Sequence, residues 1–193
     1  MIRFLACALL IPLLVVPAAG AAPAATAERG RPAAAVVTSY DCDSDFGSAT
    51  TSVRVSTRLP RSVRVAQRLG HRVVRVSLTI PEALVDQLRA YGVRAIEGSS
   101  DVTRLRVGRQ ALKVRDVTIP HTPVPDAGSM TLRGIGTADA FSIRRAGEYP
   151  VRLPGRLKAH MTADFGGSSA SGTLACAVTP GAPRRLTSLL VRN

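Results

Sequence analysis

Apolar and polar residues alternate with a period of two along most of the chain after position 50. In the segment 72–80, the even-numbered positions from 74 onward are all valine, leucine or isoleucine. The segments 53–59 and 157–165 repeat this alternation. Such a period is typical of antiparallel strands that bury one face. Short stretches rich in glycine, proline and serine separate the runs and predict turns. The pattern therefore predicts a mainly β protein with many short strands.

Many short strands joined by regular turns suit a sandwich or a barrel, and we expect an antiparallel two-sheet sandwich. The segment 120–125 contains three prolines and is expected to form a rigid crossover between the two sheets.

One segment has a helical rather than a strand period. Pro81 and an acidic residue begin it, Leu84, Leu88 and Tyr91 follow at helical spacing, and Gly92 stands where a C-terminal cap belongs. We predict one short helix over residues 81–91, with its apolar face closing one end of the sandwich.

The first residues have the layout of a secretory signal peptide. Arg3 precedes an apolar run from Phe4 to Val16, and small residues ending at Ala27 fit a cleavage site. The run is too short to cross a bilayer, which needs roughly 20 helical residues. We expect a signal peptide over 1–27, a flexible linker over 28–39, the folded domain over 40–179 and a short basic tail over 180–193. The mature chain would then be secreted, extracellular or associated with the cell wall, without a membrane span.

Cleavage would leave two of the three cysteines, Cys42 and Cys176, near the two ends of the domain. Outside the reducing cytoplasm, such a pair predicts a disulfide. The alternatives are two free thiols or part of a metal site, although two cysteines without a matching histidine pair make a poor zinc site.

The chain carries a formal net charge of +13, and nearly all of its basic residues are arginines. A charge of this size favours anionic partners through long-range attraction. An arginine-rich composition with a well-solvated surface would explain the same number. Arginines gathered on one face of the fold would favour the first explanation, and an even spread would favour the second.

Candidate chemistry in the sequence is sparse. Asp41, Asp43 and Asp45 resemble the start of a calcium loop, but Phe46 stands where glycine is required and Ser52 where a glutamate is required. An acidic turn is the better interpretation. Three scattered histidines complete no known metal or catalytic motif, and no nucleophile elbow or phosphate-binding loop occurs. We therefore predict no catalytic, cofactor-binding or metal-binding residues and no cofactor. The scarcity of aromatic residues argues against carbohydrate-binding and nucleic-acid-binding modules.

Several features occur together in one order: Tyr40-Asp41-Cys42 at the start, Thr122-Pro123-Val124-Pro125 in the middle and Cys176 near the end. In this combination the chain resembles a secreted actinobacterial β-rich domain of unknown function, over about Tyr40 to Thr179. The resemblance implies a disulfide-closed β-sandwich outside the cell and no established activity. This chain is richer in arginine than the Thr/Ala/Val-rich type associated with that family.

Three functional hypotheses follow. The first is a noncatalytic secreted or envelope-associated protein that binds anionic wall polymers, anionic lipid head groups or another surface protein. The second is a secreted hydrolase whose carboxylates meet only in the folded chain. The third is a structural surface module that assembles through a sheet edge.

Overall fold

A computed structural model describes residues 33–193, except for the side chains at positions 101 and 102. This part of the chain contains eleven strands and one helix. In chain order they are β1 (Ala34–Ser44), β2 (Gly47–Thr57), β3 (Ser62–Arg64), β4 (Arg72–Ile80), α1 (Glu82–Ala90), β5 (Ala95–Val107), β6 (Gln110–Pro123), β7 (Met130–Ala138), β8 (Gly147–Arg152), β9 (Arg156–Asp164), β10 (Ser169–Val178) and β11 (Arg185–Arg192).

Eight of these strands close into an antiparallel barrel. Their order around the ring is β5-β6-β7-β4-β2-β1-β10-β9, and β9 pairs again with β5. The predicted two-sheet sandwich is therefore wrong. A period of two gives each strand one buried face in either architecture, whereas closure depends on β5 pairing along both of its edges, which alternation does not encode.

The three remaining strands extend the sheet from the side of the barrel. β8 pairs with the end of β5 at Arg106 and Val107, β11 pairs with β8, and β3 lies parallel to β11. The sheet thus branches at β5, whose first half belongs to the closed ring and whose last residues also join the extension.

The apolar alternates face the barrel interior and the arginines face outward. In β2, Val53 and Val55 are buried while Arg54 between them is exposed. In β7 the inward positions include Gly134 and Gly136, where side chains from β6 occupy the space that a Cβ atom would need.

Helix α1 lies where the sequence predicts it, within residues 81–91. Pro81 is its N-cap, and Val85 and Leu88 are its buried residues. Tyr91, which the helical spacing places on the apolar face, is 63% exposed because the helix ends just before it.

The predicted disulfide between Cys42 and Cys176 is confirmed. The two residues are direct cross-strand partners in β1 and β10, with Cα atoms 4.0 Å apart. Both side chains are buried. The bond thus joins the first strand of the barrel to its last.

The strands extend beyond the predicted domain bounds at both ends. β1 begins at Ala34, inside the segment predicted as linker, and β11 occupies most of the segment predicted as tail. A register shift between Arg185 and Thr187 breaks the alternation of β11, so the period of two is not visible there. The predicted signal peptide, 1–27, lies outside the described residues.

The prolines of segment 120–125 do not form a crossover between sheets. Pro120 and Pro123 lie in β6, and Pro123 is the partner of Ala95 in β5. The registered pairs of β6 with β7 end at Thr118, so these prolines lie where β6 has a neighbour on one side alone. Proline lacks an N–H donor and suits such an edge position.

Candidate anion-binding site

The barrel wall has a gap where β5 changes partners. β5 pairs with β9 from Ala95 to Ser99, and its next pairing on that side is with β8, at Arg106. Over the same stretch, the first four residues of β9 pair with β10 alone. A side-chain bond from the Ser100 hydroxyl to the Lys158 carbonyl, 2.8 Å long, is the last direct link before the strands separate.

A basic cleft of about 670 Å³ lies over this gap. Its cationic side chains come from both sides of the gap and from the β10–β11 loop. They are Arg104 and Arg106 of β5, Arg152 of β8, Arg156 and Lys158 of β9, and Arg184. None of the described side chains that line the cleft is acidic. The cleft therefore concentrates positive charge at one place on the barrel, as an anion-binding site requires.

The strand register places like charges directly opposite each other here. Arg152 is the cross-strand partner of Arg106 on one side and of Arg185 on the other. In the neighbouring pair of strands, Arg104 lies opposite Lys113. Arg185 is paired with Glu148, but like charges that face each other across strands are destabilising, so a bound anion would relieve the repulsion between Arg106 and Arg152.

Arg184 is fixed at the floor of the cleft. Its Nε and Nη2 atoms donate to the Leu153 carbonyl at 3.1 and 2.8 Å. Below it, the fully buried Tyr40 donates its hydroxyl proton to the Pro154 carbonyl at 2.7 Å. Burial raises the pKa of Tyr40 to about 12, although the nearby Arg184 charge acts in the opposite direction. Two consecutive carbonyls of the β8–β9 connection are thus held by side chains from distant strands and loops.

A few arginines outside the cleft are paired with a carboxylate. Arg115 donates from Nε and Nη2 to both carboxylate oxygens of Asp139 at 2.8 and 3.2 Å. This bond raises the pKa of Arg115 and lowers that of Asp139. Arg185 likewise contacts Glu148 at 2.9 Å. Within the described chain, the cleft cations form no such carboxylate pair, so their charge is available to a ligand.

An apolar cavity of about 90 Å³ lies inside the barrel behind the cleft. Thr103, Pro154, Leu157 and Lys158 line both spaces, so the cavity and the cleft share a wall. A second apolar cavity of about 60 Å³ lies toward α1. Each cysteine of the disulfide lines one of the two cavities, and Leu78 and Leu174 line both. These groups separate the two parts of the interior.

The acidic residues that the sequence singles out lie on the β1–β2 hairpin. Asp41 accepts a hydrogen bond from Thr50 at 2.7 Å, and Asp43 accepts one from Ser48 at 2.5 Å. All of these groups are exposed on the β1–β2 hairpin. Asp41 and Asp43 thus lie in β1 rather than in the turn, and each accepts its hydrogen bond from β2.

The fold brings one histidine close to two carboxylates. The Nδ1 of His121 lies 3.8 Å from Glu97, and its Nε2 lies 3.9 Å from Asp164. His71 and His160 are exposed at other places. Among the described residues, no group of three or more histidine, cysteine or acidic side chains has the arrangement of a metal site.

The sequence does not single out any residue of the cleft. Its cations come from three separate segments, and arginine occupies outward positions on almost every strand. The signal that could have pointed to them is Arg104 and Arg106 in one strand together with Arg152, Arg156 and Lys158 around Pro154-Gly155.

The fold and this site define a disulfide-bonded antiparallel barrel with a basic lateral cleft. The chain belongs to a family of unknown function, DUF6801, which it matches over residues 39–187. The resemblance to a domain of unknown function is thereby confirmed. Comparisons with curated proteins and with solved structures gave no match. In residues 33–193, the one helix lacks the length and apolar character needed to span a membrane.

Proposed function

We propose that this chain is an exported, noncatalytic binding protein that holds an anionic ligand in the basic cleft. The observation that carries the proposal is the gathering of six cationic side chains around the β5–β9 gap, with no acid among the described lining side chains. Arginines occupy outward positions on most strands, but at the gap six cations line one cleft, and the register places Arg106 directly opposite Arg152.

The chemistry of the cleft favours phosphate and carboxylate groups. Arginine presents a planar fork of donors that matches both groups, and five of the six cations are arginines. The disulfide is consistent with a protein that folds outside the reducing cytoplasm. Anionic wall polymers, which carry such groups outside the cell, are therefore a suitable class of partner.

The proposal is tested by calorimetric titration with a short inorganic polyphosphate at about 0.05, 0.15 and 0.5 M salt. We expect binding that weakens steeply as salt increases, because screening reduces the attraction of exposed charges. The double variant Arg106→Gln/Arg152→Gln should bind at least tenfold more weakly than the unsubstituted chain.

The matched control is Arg54→Gln/Arg75→Gln, which removes the same charge from exposed positions on β2 and β4, outside the cleft. It should change the affinity by less than about twofold. An equal loss in both double variants would mean that total charge governs binding, and the cleft would then have no special role.

A further inference from the structure

Two chemically different spaces lie on either side of the gap between β5 and β9. Outside it lies the cleft with six cations, and inside it lies the apolar cavity of about 90 Å³. The shared residues include Leu157, whose neighbours Arg156 and Lys158 are exposed on the cleft side. A ligand in the cleft is therefore adjacent to apolar interior as well as to arginines.

The barrel interior has room at the gap because small side chains face it. Ser100 of β5 and Ala159 of β9 line the cavity next to the point where the strands separate. Thr103 is the next residue of β5 to line both spaces. Larger residues at these positions would fill the space that the structure leaves open.

The interior beyond the gap offers almost no polar partner. Valine and leucine side chains from β2, β4, β5 and β6 form much of the wall. A cavity of this kind does not favour water, which needs two to four polar partners, and it suits a hydrocarbon group.

We propose that the cleft and the cavity form one site for a single-chain anionic amphiphile, with its phosphate or carboxylate head among the arginines and its alkyl chain inside the barrel. This inference rests on the proposed function, because it adds an alkyl chain, inside the barrel, to the ligand whose anionic group lies in the cleft. The cavity volume of about 90 Å³ limits the ligand to one alkyl chain.

The experiment is a calorimetric series with inorganic phosphate and with butyl, hexyl, octyl and dodecyl phosphate, each below its micelle concentration. Each methylene group buried inside the barrel should tighten binding by about fourfold. We expect octyl phosphate to bind at least tenfold more tightly than butyl phosphate, with little further gain for dodecyl phosphate once the cavity is full. Octanol, which lacks the charge, should bind far more weakly than octyl phosphate.

The variant Ala159→Phe fills the cavity from inside and should abolish the gain from butyl to octyl while inorganic phosphate binds as before. Its control is Ala35→Phe, at an exposed position of β1 away from the cleft, which should keep the full gain. If phenylalanine at this position prevents folding, Ala159→Leu serves the same purpose. The ligand series on the unsubstituted protein tests the inference without any variant.

A flat chain-length series with phosphate binding retained would overturn this inference and leave the proposed function intact. A gain that persists in folded Ala159→Phe would place the chain on the outer surface and overturn it as well. If none of the phosphate probes binds, the proposed function itself fails.

Discussion

Two of the junctions that close the barrel ring, β1–β10 and β5–β9, join strands far apart in sequence and are built differently. At the β1–β10 junction, four consecutive residue pairs from Tyr40 to Asp43 are reinforced by the disulfide. At the β5–β9 junction, five pairs from Ala95 to Ser99 end abruptly, and the strands then separate. A cross-link at the first junction can hold the ring closed while the second opens for part of its length.

The two junctions differ in what they carry, since one holds the disulfide and the other is lined by the basic residues of the cleft. The disulfide joins β1 to β10. The basic residues gather where β5 and β9 are no longer paired. Tyr40 connects the two regions, because it lies in β1 and its hydroxyl holds Pro154 beside the open part of the second junction. Four predictions test this division, from the largest expected effect to the smallest.

Removal of the disulfide should have the largest effect. The double variant Cys42→Ala/Cys176→Ala should lower the free energy of unfolding by about 5 kcal/mol, because the bond closes a loop that spans 134 positions of the chain. Urea denaturation measures this difference. As a control, the unsubstituted chain is measured before and after reduction of the disulfide and should show the same difference. Equal stability of the oxidised and reduced chains would show that the β1–β10 junction does not depend on its cross-link.

High pH should weaken the fold through Tyr40. Its folded pKa of about 12 lies above the usual value near 10, so the folded state keeps a proton that the unfolded state loses. This stabilising contribution is complete below pH 10 and should be lost between pH 10 and 12, by about 2–3 kcal/mol.

Thermal unfolding across that pH range measures the loss, which Tyr40→Phe should diminish. The control Tyr91→Phe changes an exposed phenol and should keep the full loss. If Tyr40→Phe retains the same dependence on pH, the buried hydroxyl is not its source.

Gly98→Ala should disturb the paired half of the β5–β9 junction. A Cβ atom at this position would lie 2.8 Å from the His160 carbonyl and 2.5 Å from the Met161 sulfur. Relieving this overlap should cost about 1–3 kcal/mol of stability, as measured by urea denaturation. Gly167→Ala, where a Cβ atom meets nothing within 4 Å, should be close to neutral. Similar behaviour of both variants would argue against close strand contact at Gly98.

Ser100→Ala should have the smallest effect, since it removes the single hydroxyl that bridges to Lys158 at the start of the gap. We expect a loss of about 1 kcal/mol in stability. Ser62→Ala, at an exposed position of β3, should change stability by less than about 0.5 kcal/mol. A neutral Ser100→Ala would mean that the bond from Ser100 to the Lys158 carbonyl does not hold the two strands together at the start of the gap.

Much of the secondary structure could be predicted from the sequence, because it depends on local pattern. The two-residue period predicts the strands, and the helical spacing of Leu84 and Leu88 predicts α1. The disulfide follows from the even number of cysteines after the expected cleavage. The C-terminal strand was missed because a register shift near Leu186 places its apolar residues out of alternation.

The barrel closure and the cleft could not be predicted, because both depend on pairings between distant segments. Alternation shows that β5 has a buried face but not that one edge of it meets β9 first and β8 afterwards. Likewise, the sequence shows arginines at outward positions on many strands without indicating which ones become neighbours. Arg106 and Arg152 face each other through register alone.

The most direct test of the central claim is a set of nuclear Overhauser contacts between bound octyl phosphate and the methyl groups of the protein. Contacts from the alkyl chain to Leu105 and Val114, which face the cavity, are the predicted result. Contacts to Val37 or Ile135, which are exposed on the outer face, would contradict the assignment of the barrel interior as the binding site for the chain.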